Sequence, residues 1–155
     1  GIHQARVLDG PHGTIFDTFE VLPADAYAPR APADVEQRLA EALSGPLDAV
    51  RTSRRAVPRQ LRHFRFPPRI EFGTTPDGRR TVLSLVAPDR PGLLSDVAQV
   101  LRRQRLRVHD ARIATFGERA EDIFQITDEN DQPLAGEEPR QALRDALRAS
   151  FDTPP

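Results

Sequence analysis

The sequence predicts an α+β protein, an antiparallel sheet carrying its helices on one face. Three observations lead there. Short runs alternate between apolar and polar residues with the two-residue period of strands, turn-forming residues separate them closely enough for antiparallel pairing, and stretches of helical period follow the strands. The central joint is Ala87-Pro88-Asp89-Arg90-Pro91-Gly92-Leu93-Leu94, where an apolar strand hands over to an amphipathic helix.

In chain order, 2–8 reads as a strand, Asp9-Gly10-Pro11-His12-Gly13 as a turn and 14–22 as the returning strand. A helix is predicted from Asp34, with Gln37 in the capping-box position and an apolar stripe of Val35, Leu39, Leu43 and Leu47 that Gly45-Pro46 bends or breaks. Residues 51–69 contain no acid, and Pro58, Pro67 and Pro68 predict an extended linker, with a short edge strand at 62–66. Next, 69–73 alternates as a strand, and Thr75-Pro76-Asp77-Gly78 turns the chain back into 81–86. This hairpin sets Ile70–Phe72 antiparallel to Val82–Val86. The second of these strands is β-branched and aliphatic, with Val82, Ser84 and Val86 on one face and Leu83 and Leu85 on the other, as in a central strand.

Leu94, Val97, Ala98 and Leu101 then fall at i, i+3, i+4 and i+7, a helical stripe with Arg102, Arg103 and Gln104 toward water. Asp89 is placed to cap that helix, Pro91 suits its first turn, and Gly92 lets a guest approach bare backbone. A strand at 107–113, a hairpin return at 122–126 and a helix with Pro139 in its first turn and Leu143 and Leu147 as its stripe complete the chain.

An internal repeat relates the two ends. His3-Gln4-Ala5-Arg6-Val7 matches His109-Asp110-Ala111-Arg112-Ile113, and Asp17-Thr18-Phe19-Glu20-Val21 matches Asp122-Ile123-Phe124-Gln125-Ile126, the first hairpin being longer by a single residue. Both units read strand, strand, helix. Only the second is preceded by its own strand and helix.

Composition excludes several classes. A net charge of -1 gives no global field toward nucleic acid or membrane, and zero cysteines exclude disulfides, thiolate metal sites and cysteine nucleophiles, in keeping with a cytoplasmic location. No apolar run is long enough to span a bilayer. All 22 basic residues are Arg, which a coding bias explains; Gly1 and the lack of Met predict a piece of a longer chain. The basic linker, with Phe64 and Phe66, has the composition of a single-strand nucleic-acid contact, but the acidic helices on either side neutralise it and nucleic acid is not expected. No cofactor is expected, and no nucleophile beside a base, P-loop or paired acids assemble a catalyst.

Asp89-Arg90-Pro91-Gly92-Leu93-Leu94, followed by Val97, Leu101 and the strand at 107–113, resembles the start of an ACT domain, a ferredoxin-like βαββαβ module that senses ligands. The longer run from Val108 to Phe124 is similar to the C-terminal ACT pair of the bifunctional uridylyltransferase/uridylyl-removing enzyme family of bacteria, which modifies the PII nitrogen-signalling protein. The resemblance implies a partial first module at 1–53 lacking its leading half, a linker at 54–68 and a second module at 69–155. It also implies an amino-acid ligand, with glutamine favoured, the parent chain's catalytic domains and PII as partners, and self-association through the modules. A βαββαβ module ends on a strand, which 150–155 cannot supply; the strand at Ile70–Phe72 is expected in its place. The truncated first module is expected to leave apolar surface on its sheet.

The helix start is the candidate ligand site: Asp89, Arg90, Pro91, Gly92, Leu93 and Leu94, where free N–H groups and the positive dipole end suit a carboxylate and Asp89 or a carbonyl takes the ammonium. The plain alternative is a well-made helix start that binds nothing. The resemblance implies a wall from a neighbouring second strand, His109, Ala111 and Arg112 or His3, Ala5 and Arg6. His109-Asp110 has the look of a metal-binding pair, but strand neighbours point to opposite faces and Gln4 stands at the repeat position, so no metal is expected. His3 and His109 are read as neutral donors at the module interface, 118–122 as a solvated hairpin rim and 128–131 as a turn lacking the residues of a calcium loop. Two other functions remain open at this level: a dimerisation or docking module without ligand, and the ACT region of a stringent-response or amino-acid biosynthetic enzyme.

Overall fold

The structure, a computed structural model, describes residues 2–22, 31–45 and 66–152. Six strands form one antiparallel sheet: β1 (Ile2–Asp9), β2 (Ile15–Val21), β3 (Arg69–Thr74), β4 (Thr81–Pro88), β5 (Arg107–Phe116) and β6 (Arg119–Thr127), in the order β2-β1-β5-β6-β4-β3. The helices are α1 (Pro32–Ser44), α2 (Leu93–Arg103) and α3 (Glu137–Asp152). The core lies between one face of the sheet and α2 with α3. Leu83, Leu85 and Ala87 of β4 and Phe124 and Ile126 of β6 meet Val97, Val100 and Leu101 of α2 and Leu143 and Leu147 of α3 there.

The hairpin predicted to close the second module is present. Ile70 pairs with Leu85 and Phe72 with Leu83, so β3 lies antiparallel to β4 at the edge where a fourth ferredoxin-like strand belongs. Ile70 joins the core, and Arg144 of α3 lies 5.2 Å from the centre of the Phe72 ring, a cation–π contact between this edge and the helix layer. Thr81 is fully buried and its Oγ1 accepts the Leu134 N–H at 2.8 Å, fastening the β6–α3 connection to β4.

The repeat becomes a local two-fold. β1 pairs with β5 so that Arg6 faces Arg112, Ala5 faces Ile113 and Val7 faces Ala111; exchanging the repeats exchanges the last two pairs and returns the first to itself. The irregularities match as well: the β1–β2 register shifts between Ile2 and Gln4, the β5–β6 register between Val108 and Asp110, so His3 and His109 are the extra residues of equivalent bulges.

Burial does not follow the repeat. Phe124 is 4% exposed and Phe19 48%; Ile126 is 0% exposed and Val21 59%. Ile15, Phe16 and Leu22 are exposed too, as is the stripe Val35, Leu39 and Leu43 on α1, which buries no residue. The apolar surface expected on the first hairpin is therefore present.

Three local expectations are corrected. α1 begins at Pro32, and Gln37 bonds Glu41 at 2.9 Å instead of reaching back to a cap, because proline two residues before Asp34 takes the first helical position. The core stripe of α2 is Leu93, Val97, Val100 and Leu101; Ala98 is exposed and Leu94 half-buried on the flank toward β1. Pro91 lies before α2, not in its first turn. Leu47, the Gly45-Pro46 break beyond Gly45, most of the linker and the edge strand expected at 62–66, apart from Phe66, lie outside the described residues.

The unequal burial gives a measurable contrast. Phe124→Ala should cost about 3–5 kcal/mol in urea unfolding, and its repeat equivalent Phe19→Ala less than about 1 kcal/mol. Equal losses would mean that the first hairpin is packed as tightly as the second.

Candidate functional site

The β4–α2 connection is a tight turn. Pro91 and Gly92 occupy its two central positions, Gly92 has φ 86° and ψ -1°, and the Leu93 N–H bonds the Arg90 carbonyl at 3.1 Å, the geometry of a type II turn. The expected capping by Asp89 is thereby corrected. The turn inserts Arg90–Gly92 between Asp89 and the helix, the capping residue is Gly92 in the left-handed region, and no side chain caps α2. A Cβ built on Gly92 meets nothing within 4 Å, so the backbone there faces open space.

The turn is pinned on three sides. The Asp89 N–H bonds the Glu118 carbonyl in the β5–β6 turn at 2.8 Å. Arg90 Nη2 reaches Asp96 Oδ2 in the first turn of α2 at 2.5 Å and the Ser150 carbonyl in α3 at 3.4 Å. Arg90 is thus held by the fold. Leu93 is core. What the turn presents is backbone: among the described residues no hydrogen bond takes the N–H of Gly92, Leu94 or Ser95.

Two carboxyls accompany it. Partial burial holds Asp89 above the ordinary carboxylate range, against a lowering contact from the Arg90 N–H. Asp122, expected on a solvated rim, is 2% exposed. It shares the helix-covered face of β6 with Ala120, Phe124 and Ile126, because the strand alternation continues through the acidic run instead of ending there. Burial pushes it up to about 7, the Ala114 N–H opposes that, and the nearby charge of Asp89 adds to it. Its Oδ1 has no hydrogen-bond partner. A buried acid surrounded by Leu, Ile and Phe was the residue that sequence reasoning missed; its place in the β-period of Ala120, Phe124 and Ile126 was the available signal.

The predicted wall residues divide. Ala5 and Ala111 join Leu94, Ala98, Val7 and Phe19 around an apolar groove of about 560 Å³ between α2 and β1. Arg6 and Arg112 stand directly opposite each other and point to the sheet's other face, as alternation from Ala5 and Ala111 requires. His109 lies at the far end of β5, with Nδ1 2.5 Å from Asp9 Oδ2 and Nε2 2.7 Å from Thr127 Oγ1, while Asp110 pairs across from Leu8 and Gln125. His109 therefore joins β1 to the second module, as an interface donor or acceptor. The 128–131 turn is built by Asp128 Oδ1, which accepts the Asn130 and Gln132 N–H groups at 2.8 Å each.

A strand, a pinned turn presenting free N–H groups, a helix, two more strands and a second helix make an α+β module with its helices on one face of the sheet, and residues 81–149 match the ACT domain family. Along nearly its whole length the chain is similar to one segment of a particular enzyme. It is 68% identical over 152 residues to the "Bifunctional uridylyltransferase/uridylyl-removing enzyme" of Xanthomonas oryzae pv. oryzae (strain MAFF 311018), covering 98% of this chain and 17% of that protein. The enzyme of the same name from Xanthomonas campestris pv. campestris (strain B100) is also 68% identical, with the same coverage. That from Stutzerimonas stutzeri (strain A1501) is 41% identical over 147 residues, 92% of this chain and 16% of the relative. The chain thus spans about a sixth of the length of these curated relatives. No solved structure matches it. No described helix is long and apolar enough to cross a membrane.

Asp122 sets a pH dependence. An acid raised to about 7 in the folded chain keeps a proton that the unfolded chain has released, so stability falls as pH rises from about 4 to about 7 and is level above. Asp122→Asn removes that cost. Its stability relative to wild type should rise by about 1.4 kcal/mol per pH unit across the window in urea unfolding; a difference independent of pH would mean that the carboxyl titrates as in water.

Proposed function

We propose that the chain is the amino-acid-sensing regulatory region of a bifunctional uridylyltransferase/uridylyl-removing enzyme, that glutamine is its ligand, and that it reports nitrogen status to catalytic domains acting on PII. The observation that carries the reading is the Arg90–Leu93 turn, where unpaired N–H groups of Gly92, Leu94 and Ser95 meet open space at Gly92. Likeness to enzymes of that name along 98% of the chain supports the regulatory setting.

In this reading the ligand carboxylate docks on the free N–H groups at the start of α2. Gly92 keeps the approach clear. Asp89 adds negative charge that steers an ammonium toward the turn without itself pairing with it, Arg90 holds the turn in place through Asp96 and Ser150, and Leu94 leads the ligand's methylenes toward the groove that Ala5 and Ala111 line. His109 acts at a distance, by holding β1 to β5 through Asp9. Regulation follows if the ligand binds one arrangement of the modules better than another, since a ligand indifferent to the two shifts nothing. The exposed apolar face of β2 and α1 is the surface through which the region meets its neighbours.

Glutamine at a hundredfold excess over its Kd should stabilise the chain by about 2.7 kcal/mol, read as a rise in Tm. Gly92→Leu should weaken binding at least tenfold in calorimetry. Gly136→Leu, at a comparable φ of 83° with equally open surroundings, carries the same backbone strain and should leave affinity unchanged. No Tm response to glutamine, together with a sedimentation mass that rises with concentration, would make the chain an assembly module instead.

A further inference from the structure

We propose that Asp122 is the carboxylate that receives the ammonium group of the amino acid seated at the Arg90–Leu93 turn, a role that rests on the amino-acid reading of that turn. Asp122 has no other partner for one of its oxygens: Oδ1 is unpaired at 2% residue exposure. Buried polar atoms are nearly always satisfied, so an orphaned carboxyl oxygen in a core marks a place where something else binds.

Its position fits a guest entering from the turn. Asp122 sits across from Leu85 on β4 and Ile113 on β5, on the face covered by α2 and α3. The next layer toward the turn is the pair Ala87 and Ala120, both buried. Beyond them come Pro88 and then the turn itself. On this face the sheet places only Ala87, Ala120 and Thr115 between the acid and the start of α2, where larger side chains would have filled the layer.

Charge points the same way. Asp89 is close enough to raise Asp122 electrostatically, so two carboxyls share this end of the sheet. Around them, the β4–α2 connection supplies Arg90, already committed to Asp96 of α2 and to the Ser150 carbonyl. The β5–β6 turn adds a further acid, Glu118. β5 contributes Ile113 and Thr115, and α3 contributes Ser150 and Phe151, none of them charged. None of these side chains bonds Asp122 Oδ1; an arriving ammonium would.

The two halves of the site then select a class. Free N–H groups alone accept any small carboxylate. A carboxyl acceptor beside them restricts the guest to α-amino acids and discriminates against 2-oxo acids of the same chain length, which would leave the acid unpaired. In the empty site Asp122 holds a proton near neutrality; when the ammonium arrives, the carboxyl ionises, its O–H proton leaves to solvent, and an ion pair replaces it.

Calorimetry of glutamine binding to the whole chain tests this, run at pH 6.5 and 8.5 in pairs of buffers with different ionisation enthalpies. About three-quarters of a proton should be released per glutamine at pH 6.5 and almost none at pH 8.5, with affinity higher at pH 8.5. Asp122→Asn should weaken binding at least tenfold at pH 8.5, abolish proton release and narrow the preference for glutamine over 2-oxoglutaramate. Undiminished glutamine binding by Asp122→Asn, with release intact, overturns the proposal while leaving the turn as the site. Loss of release in Asp89→Asn but not in Asp122→Asn assigns the role to Asp89 and likewise overturns it. Absence of glutamine binding by wild type at both pH values removes the site reading and this role together.

Discussion

The arrangement depends on how the Arg90–Leu93 turn is held. Its position is fixed by a backbone hydrogen bond to the β5–β6 turn and by one guanidinium that bonds both the first turn of α2 and a carbonyl near the end of α3. Arg suits the second task because its planar fork donates in several directions at once, which an ammonium cannot do with the same geometry. A loop tied at three points is pre-organised, so a ligand meeting its N–H groups does not have to order them first. The Arg90–Asp96 ion pair thus serves position, and the turn's Gly92, Leu94 and Ser95 N–H groups stay unpaired among the described residues.

Much of the architecture was legible because its signals were local. Thr75-Pro76-Asp77-Gly78 can hardly be other than a turn between the alternating runs on either side, so the β3–β4 pairing followed. The matching His, Ala and Arg residues of 3–7 and 109–113 revealed a repeat, though not that the two copies would pair with each other about Arg6 and Arg112. That pairing is long-range and leaves no periodic trace. The helix register was less legible: Leu93 and Leu94 are both apolar, and only the turn geometry decides which one enters the core.

At the candidate site the turn residues were legible and the buried acid was not. Pro91-Gly92 marked the backbone, while the expected cap failed because the same two residues form a turn that pushes Asp89 away from the helix. Asp122 was hidden by company. Set among Glu118, Arg119 and Glu121 it reads as solvated, and only strand alternation distinguishes the inward-facing acid from its outward-facing neighbours. The repeat sharpens this: Asp17 is the equivalent residue and is exposed, as Phe19 and Val21 are exposed where Phe124 and Ile126 are buried. Sequence pattern specifies which face a side chain takes; what covers that face is decided by other parts of the molecule.

The order of the strands has a practical side. β3 completes the sheet of residues 81–149 but precedes them in the chain, a permutation of the βαββαβ order that the resemblance implied. A linear comparison accordingly opens at Thr81 and passes over the six residues that cover one flank of β4. A protein trimmed to that match would leave the N–H and C=O groups on that flank of β4 bare and uncover the Leu85 and Leu83 positions against which Ile70 and Phe72 lie. It would be an adhesive strand in search of another molecule, and its clumping would be an artefact of where the scissors fell.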